Sequence, residues 1–190
     1  LIVLKFYSTC YTTHVCIYML FLKKNLGIII FARASSKRLP KKVFSKINKT
    51  PLIKIIIKRV KSSKFKFPIV IATSKNKSDD AIEEFCIKNN VKCFRGNLLN
   101  VFERTIKCCE KYNFDYFVRV CADRPFFDYD LMDRMIIKFF NKNYDIVTNQ
   151  LKKTYPKGLA CEIGKIDLFK KTKISNLSKS DREHIFNYFY

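Results

Sequence analysis

The chain has 190 residues, 48% of them hydrophobic and 15% aromatic, with 38 Lys and Arg against 16 Asp and Glu and a formal charge of +22. That length supports one domain with a sizeable core, and the apolar content excludes a disordered tail. The surplus charge is uneven: residues 1–78 hold 18 basic and no acidic side chains, whereas residues 79–190 hold 20 basic and 16 acidic ones. Such a surplus suits nucleic acid, a membrane surface or a polyanionic small molecule. Lys nevertheless outnumbers Arg 29 to 9 amid abundant Ile, Asn, Phe and Tyr, a compositional bias that weakens what any single lysine says.

The first methionine is Met19, and residues 1–24 are expected to be a non-native leader or read-through ahead of a domain over 25–190. The leader lacks a charged beginning, and its longest apolar run, 15–22, is far short of the ~20 residues of a membrane span. Residues 26–33 (LGIIIFAR) then read as a strand buried on both faces. Thr50 as N-cap and Pro51 as first helical residue predict a helix to about Ser62. A strand over 68–73 and a helix over 78–89 follow, with Asp79 and Asp80 complementing that helix's dipole. Further strands are expected at 91–94, 114–122, 144–149 and 159–164, and helices at 97–111 and 129–141, with Asp128 as N-cap and Asp130 as dipole partner of the last. Residues 181–190 read as an element still in progress. This alternation predicts an α/β fold with a mostly parallel sheet, whose ligands bind beyond the carboxyl ends of the strands. The places to search therefore lie just after Arg33, Thr73, Phe94, Ala122 and Asn149.

Eight cysteines do not make a disulfide framework here, since Cys108 and Cys109 are adjacent and no CxxC occurs. With His14 and His184 as the only imidazoles, no zinc site of ordinary spacing can be written. Buried free thiols in a reducing cytoplasm are expected. Walker A, GxGxxG and RNP patterns are all absent. The loop over 34–42, preceded by Arg33, instead collects Ser35, Ser36, Lys37, Arg38, Lys41 and Lys42 at the end of the first strand. Arg forks and Lys point charges there suit a triphosphate, although a merely solvated basic loop would carry the same residues.

The run from Ala32 through Arg33, Ser36, Arg38, Leu39, Pro40 and Lys42 resembles the ARxxSxRLPxKx signature of the cytidylyltransferases that make CMP-activated acidic sugars, most closely the SpsF-like (spore coat polysaccharide) branch. Phe94-Arg95-Gly96 resembles that family's FRG, and the segment from Val118 and Arg119 to Asp123 and Pro125 its VRxxGDxP. Tyr155-Pro156 with Gly158, Leu159 and Glu162 resembles TYPxGLxxE, and Arg182-Glu183-His184 resembles REH. The resemblance implies a three-layer, Rossmann-like nucleotide-diphospho-sugar transferase fold, truncated at its C-terminus before an acidic family segment. It also implies a cytoplasmic enzyme that joins CMP from CTP to a sugar or acidic sugar for surface or spore-coat polysaccharide and releases pyrophosphate. By the same resemblance Arg38, Lys42 and Asp123 are catalytic; Ala32, Arg33, Ser36, Arg38, Lys42 and Thr73 bind nucleotide; and Arg119, Tyr155, Glu162 and His184 meet the acceptor sugar. Asp123 would hold Mg²⁺, which takes oxygen ligands and bridges phosphates. The expected partners are CTP and the sugar, with no nucleic acid, no membrane span and a possible homodimer. A degenerate relative acting as a basic binding module, and a UTP- or GTP-dependent sugar nucleotidyltransferase, are the competing readings.

Five positions depart from the family pattern. Ser35 and Lys41 stand where Gly is common, Ala122 replaces the Gly before the metal Asp, and Ala160 and Asn100 replace acids. Lys41 is expected to matter most, because a side chain there would keep backbone N–H groups from closing on phosphate.

Overall fold

The computed structural model describes residues 24–35, 39–152 and 154–190. The expected leader lies outside the described residues apart from Lys24, as do Ser36 and Arg38 of the predicted nucleotide site.

Strand β1 (Leu26–Phe31) forms from the unbroken apolar run and sends alternate side chains to two cores. Leu26, Ile28 and Ile30 enter one core, and Ile29 enters the other. Lys46–Ile47 (β2) and Thr50–Pro51 (β3) pair as a short antiparallel ladder that delivers the chain to helix α1 (Leu52–Lys61). The expected cap is thereby corrected: Pro51, in extended conformation, is the N-cap, and Thr50 belongs to the ladder. Strand β4 (Ile69–Ser74), a 3₁₀ turn over Lys77–Asp79, helix α2 (Asp80–Lys88) and strand β5 (Lys92–Gly96) follow.

Helix α3 spans Val101–Tyr112, four residues later than its expected start. Asn97 Oδ1 accepts from the N–H groups of Leu99 and Asn100 and holds that stretch as a turn. The helix then begins where the Asn100 side chain accepts from Glu103 N–H. Strand β6 (Tyr116–Cys121) leads to α4 (Tyr129–Asn141), which matches its expected bounds and carries the Asp128 cap. Strands β7 (Ile146–Thr148) and β8 (Glu162–Lys165), helices α5 (Ile166–Lys171) and α6 (Lys179–Glu183) and a final 3₁₀ turn over Asn187–Phe189 complete the chain. Helix α5 is unannounced by the sequence reading, being too short at six residues to show a clear period.

The six-stranded sheet runs β5-β4-β1-β6-β8-β7, parallel across β5, β4, β1 and β6 and antiparallel on both sides of β8. One core packs α1 and α4 residues such as Ile53, Ile56, Leu131 and Met132 against one face. The other packs Phe102, Phe169 and Phe186 from α3, α5 and the C-terminal turn against the opposite face. The three-layer α/β expectation therefore holds. Leaving β1, the chain adds β4 and β5 on one side and then returns to place β6 on the other. Such a reversal opens a crevice at the carboxyl ends of β1 and β6.

Candidate active site

The crevice gathers residues far apart in sequence. Lys42 opens a 3₁₀ turn over Lys42–Phe44 and donates from Nζ to Oδ2 of Asp123 at 2.9 Å, across the ends of β1 and β6. Both side chains are about two-fifths exposed, at 39% and 43%, so the contact itself contributes only ~0–1 kcal/mol and opens readily to an incoming ligand. Asp123 also sits in a tight turn, in which Arg124 N–H donates to the Cys121 carbonyl and Phe127 N–H to that of Arg124. On the other wall, Arg33 donates to Glu183 of α6 at 2.9 Å. Two of the cations expected to meet phosphate are thus each held by an exposed carboxylate.

The loop that follows β1 is closed at its neck. The Lys41 N–H donates to the Ala34 carbonyl at 2.9 Å, and the Ala34 N–H donates to Asp79 Oδ1 at 2.7 Å. Asp79 is fully buried and also accepts from the N–H of Ser74 at 3.1 Å and from the Ser74 hydroxyl. Sequence reasoning assigns Asp79 to a helix dipole and misses this; the signal available was an acid two residues after a strand-end turn, which reads equally well as a cap.

Lys41 sits in the left-handed region, with φ 55 and ψ 26. The family's Gly at this position is therefore explained by backbone conformation, and the Lys41 N–H is itself engaged within the loop. The other departures need no left-handed backbone. Asn100 caps α3 as an Asp would, and Ala122 and Ala160 are buried without positive φ. Ser35 likewise has no positive φ.

The remaining predicted residues divide among three places. Ala32 is buried and donates its N–H to the Ala72 carbonyl at 3.2 Å. Thr73 is fully buried, and its hydroxyl is without a hydrogen-bond partner. Arg119 and Glu162 stand opposite one another on β6 and β8 and form a buried ion pair. Glu162 also accepts from the Tyr190 hydroxyl at 2.5 Å, and burial followed by the neighbouring Glu162 charge pushes that phenol up from its ordinary value. Glu162 is 4% exposed, and its charge is met within the fold. Tyr155 is exposed in a groove of about 460 Å³ that also involves Leu131, Arg134, Lys138, Asn149 and Lys152. Three of those neighbours are cations, and among the described residues no acid lines the groove. His184 is exposed at the C-cap of α6, directly after Glu183.

Arg104 of α3 is a further residue that sequence reasoning passed over. It is 3% exposed, donates to the Asn97 carbonyl at 2.9 Å and places its guanidinium 5.9 Å from the Phe31 ring centroid. Burial pulls it down to about 10, which leaves it protonated at neutral pH. Arg95 of the FRG segment instead clamps α2, binding Asp80 at 2.6 Å and Glu83 at 2.7 Å together with the carbonyls of Ser74 and Asn76.

Comparison with known proteins decides the family. The profile described as "Cytidylyltransferase" matches residues 27–184, which includes every segment lining the crevice. The chain belongs to the cytidylyltransferase family. It is 33% identical over 168 residues to the spore coat polysaccharide biosynthesis protein SpsF of Bacillus subtilis, covering 85% of this chain and 68% of that protein. It is 30% identical over 132 residues to a 3-deoxy-manno-octulosonate cytidylyltransferase of Francisella tularensis, covering 68% of this chain and 52% of that one. Among solved structures, a cytidylyltransferase from Leptospira borgpetersenii superposes with a TM-score of 0.82 at 32% identity, covering 87% of this chain and 70% of its own. Within this cytidylyltransferase the described cysteines are free, as expected, with Cys86, Cys108, Cys109 and Cys161 buried and Cys93 and Cys121 half-buried. No helix among the described residues is long and apolar enough to cross a membrane.

Proposed function

We propose that the chain transfers CMP from CTP to the oxygen of an acidic sugar and releases pyrophosphate, in the service of surface polysaccharide synthesis. The observation that carries this reading is the Lys42–Asp123 contact at the β1/β6 crevice of a cytidylyltransferase. It brings together one cation and one carboxylate from two of the family's signature segments, 81 residues apart in the chain.

The reaction is an in-line displacement at the α-phosphorus, so the protein's work is positioning and charge neutralisation. Lys42 and Arg33, with Arg38 from the part of the loop not described, bind the β- and γ-phosphates and neutralise the leaving pyrophosphate. CTP displaces Asp123 from Lys42 and Glu183 from Arg33, so the cations are exchanged from carboxylate to phosphate. Among the described residues no cluster of three or more His, Cys, Asp or Glu side chains could cage a metal. A single carboxylate at Asp123 fits Mg²⁺, which keeps waters and is bound through one or two carboxylates plus substrate phosphates. Asp123 would hold the ion, which would supply positive charge against the phosphates. The cationic, acid-free groove beside Tyr155 supports an anionic acceptor. The Arg119–Glu162 pair is a fixed support behind it, since its charges already satisfy each other.

The test is pyrophosphate release from CTP, UTP, GTP and ATP with a panel of acidic sugars. CTP with one acidic sugar should react, and Asp123→Asn should lower the rate by about 10²-fold or more, the scale on which electrostatic groups of a reaction centre act. Faster release from UTP or GTP would reassign the donor. CTP binding with no release in any pair would leave a binding module and sink the enzymatic reading.

A further inference from the structure

We infer that Asp79 is a positioning residue for the triphosphate-binding loop, fixing the backbone from which Arg33 and Lys42 reach the nucleotide. The inference rests on the proposed function and adds to it a residue outside the family's signature segments.

A fully buried carboxylate beside a site for a triphosphate is electrostatically costly unless it holds something. Here its oxygens take three donors, and these join three parts of the molecule. The Ala34 N–H comes from the loop after β1, the N–H and hydroxyl of Ser74 come from the end of β4, and Asp79 itself closes the 3₁₀ turn before α2. Ala34 is the pivot, because its N–H goes to Asp79 while its carbonyl receives the Lys41 N–H. Arg33 precedes that pivot and Lys42 follows its partner, so both cations emerge from backbone that Asp79 fastens to the sheet. Without this fastening, the order of the neck would have to come from the nucleotide itself, and part of its binding energy would go into that ordering.

The experiment compares the full chain with its Asp79→Ala and Asp79→Asn variants, using CTP and cytidine as probes in calorimetric titrations and amide hydrogen exchange in the free proteins. Asp79→Ala should weaken CTP about tenfold or more, the scale of a lost hydrogen bond to a charged group, and leave cytidine within about twofold. In the same variant the Ala34 amide should exchange faster, while the Ile29 and Ile30 amides at the sheet centre stay protected. Asp79→Asn keeps the side-chain shape and should act in the same direction but less; it decides the matter if the alanine variant does not fold. Equal losses for CTP and cytidine, or a folded variant with unchanged CTP affinity and unchanged Ala34 exchange, would overturn the inference. Failure of the unaltered chain to bind CTP would instead sink the proposed function, and the exchange of Ala34 still judges Asp79.

Discussion

Lys41 carries a cost that its family's glycine avoids. An L-residue with φ 55 and ψ 26 sits roughly 1–2 kcal/mol above its right-handed alternative. Lys41→Gly should therefore stabilise the chain by about 1 kcal/mol, less the added entropy of the unfolded glycine, and raise the midpoint of a thermal melt by about 2–4 °C. A lower midpoint would show that the exposed Lys41 side chain contributes more than its backbone costs. Asp133 poses a different residue-scale problem. It is 3% exposed, accepts from the Ser63 hydroxyl at 2.6 Å and from Lys64 N–H at 2.9 Å, and burial still raises its carboxyl above the ordinary 3.8. Because the folded state holds this proton more tightly than the unfolded one, its contribution to stability is largest below pH 3.8 and declines as pH rises through the raised value. Asp133→Asn keeps an acceptor for Lys64 and can donate to Ser63, so it should remove that decline. Urea melts across pH 3–7 that keep the wild-type slope would refute the assignment.

At the scale of elements, β1 depends on a glycine for packing. A Cβ on Gly27 would lie 2.1 Å from the Phe114 ring, which fills the space above the strand. Gly27→Ala should cost about 1–3 kcal/mol in denaturant unfolding, as overpacked cores do. Helix α3 depends on its cap instead: Asn100→Ala removes the acceptor for Glu103 N–H and should cost about 1 kcal/mol. The same pair of elements shows how far a pattern can be read. The apolar run of β1 announced a buried strand because Leu26 to Phe31, five large apolar residues and one glycine, had no polar face to offer. The start of α3 was misplaced because the stretch Asn97-Leu98-Leu99-Asn100 is too short to show a period of its own, and only the Asn97 side-chain bonds select a turn there.

For the whole molecule, the +22 charge narrows to a few cations around one crevice, of which Lys42 and Arg33 are seen to converge on carboxylates from β6 and α6. If those ion pairs are what CTP exchanges, CTP affinity should fall as salt rises, as an electrostatic contact of several charges must. The sequence by itself determined the alternation of elements, the buried β1, the family segments and the residue types that suit a triphosphate, because each of these is local in the chain. Only the tertiary structure decided that Asp123 faces Lys42, that Arg119 and Glu162 neutralise each other, that Tyr155 lines a separate groove, and that Asp79, besides standing at a helix start, anchors the loop after β1. The physical reason is distance along the chain: a carboxylate's role is set by which donors the fold brings to it, and the donors to Asp79, Asp123 and Glu162 include groups 45, 81 and 43 residues away.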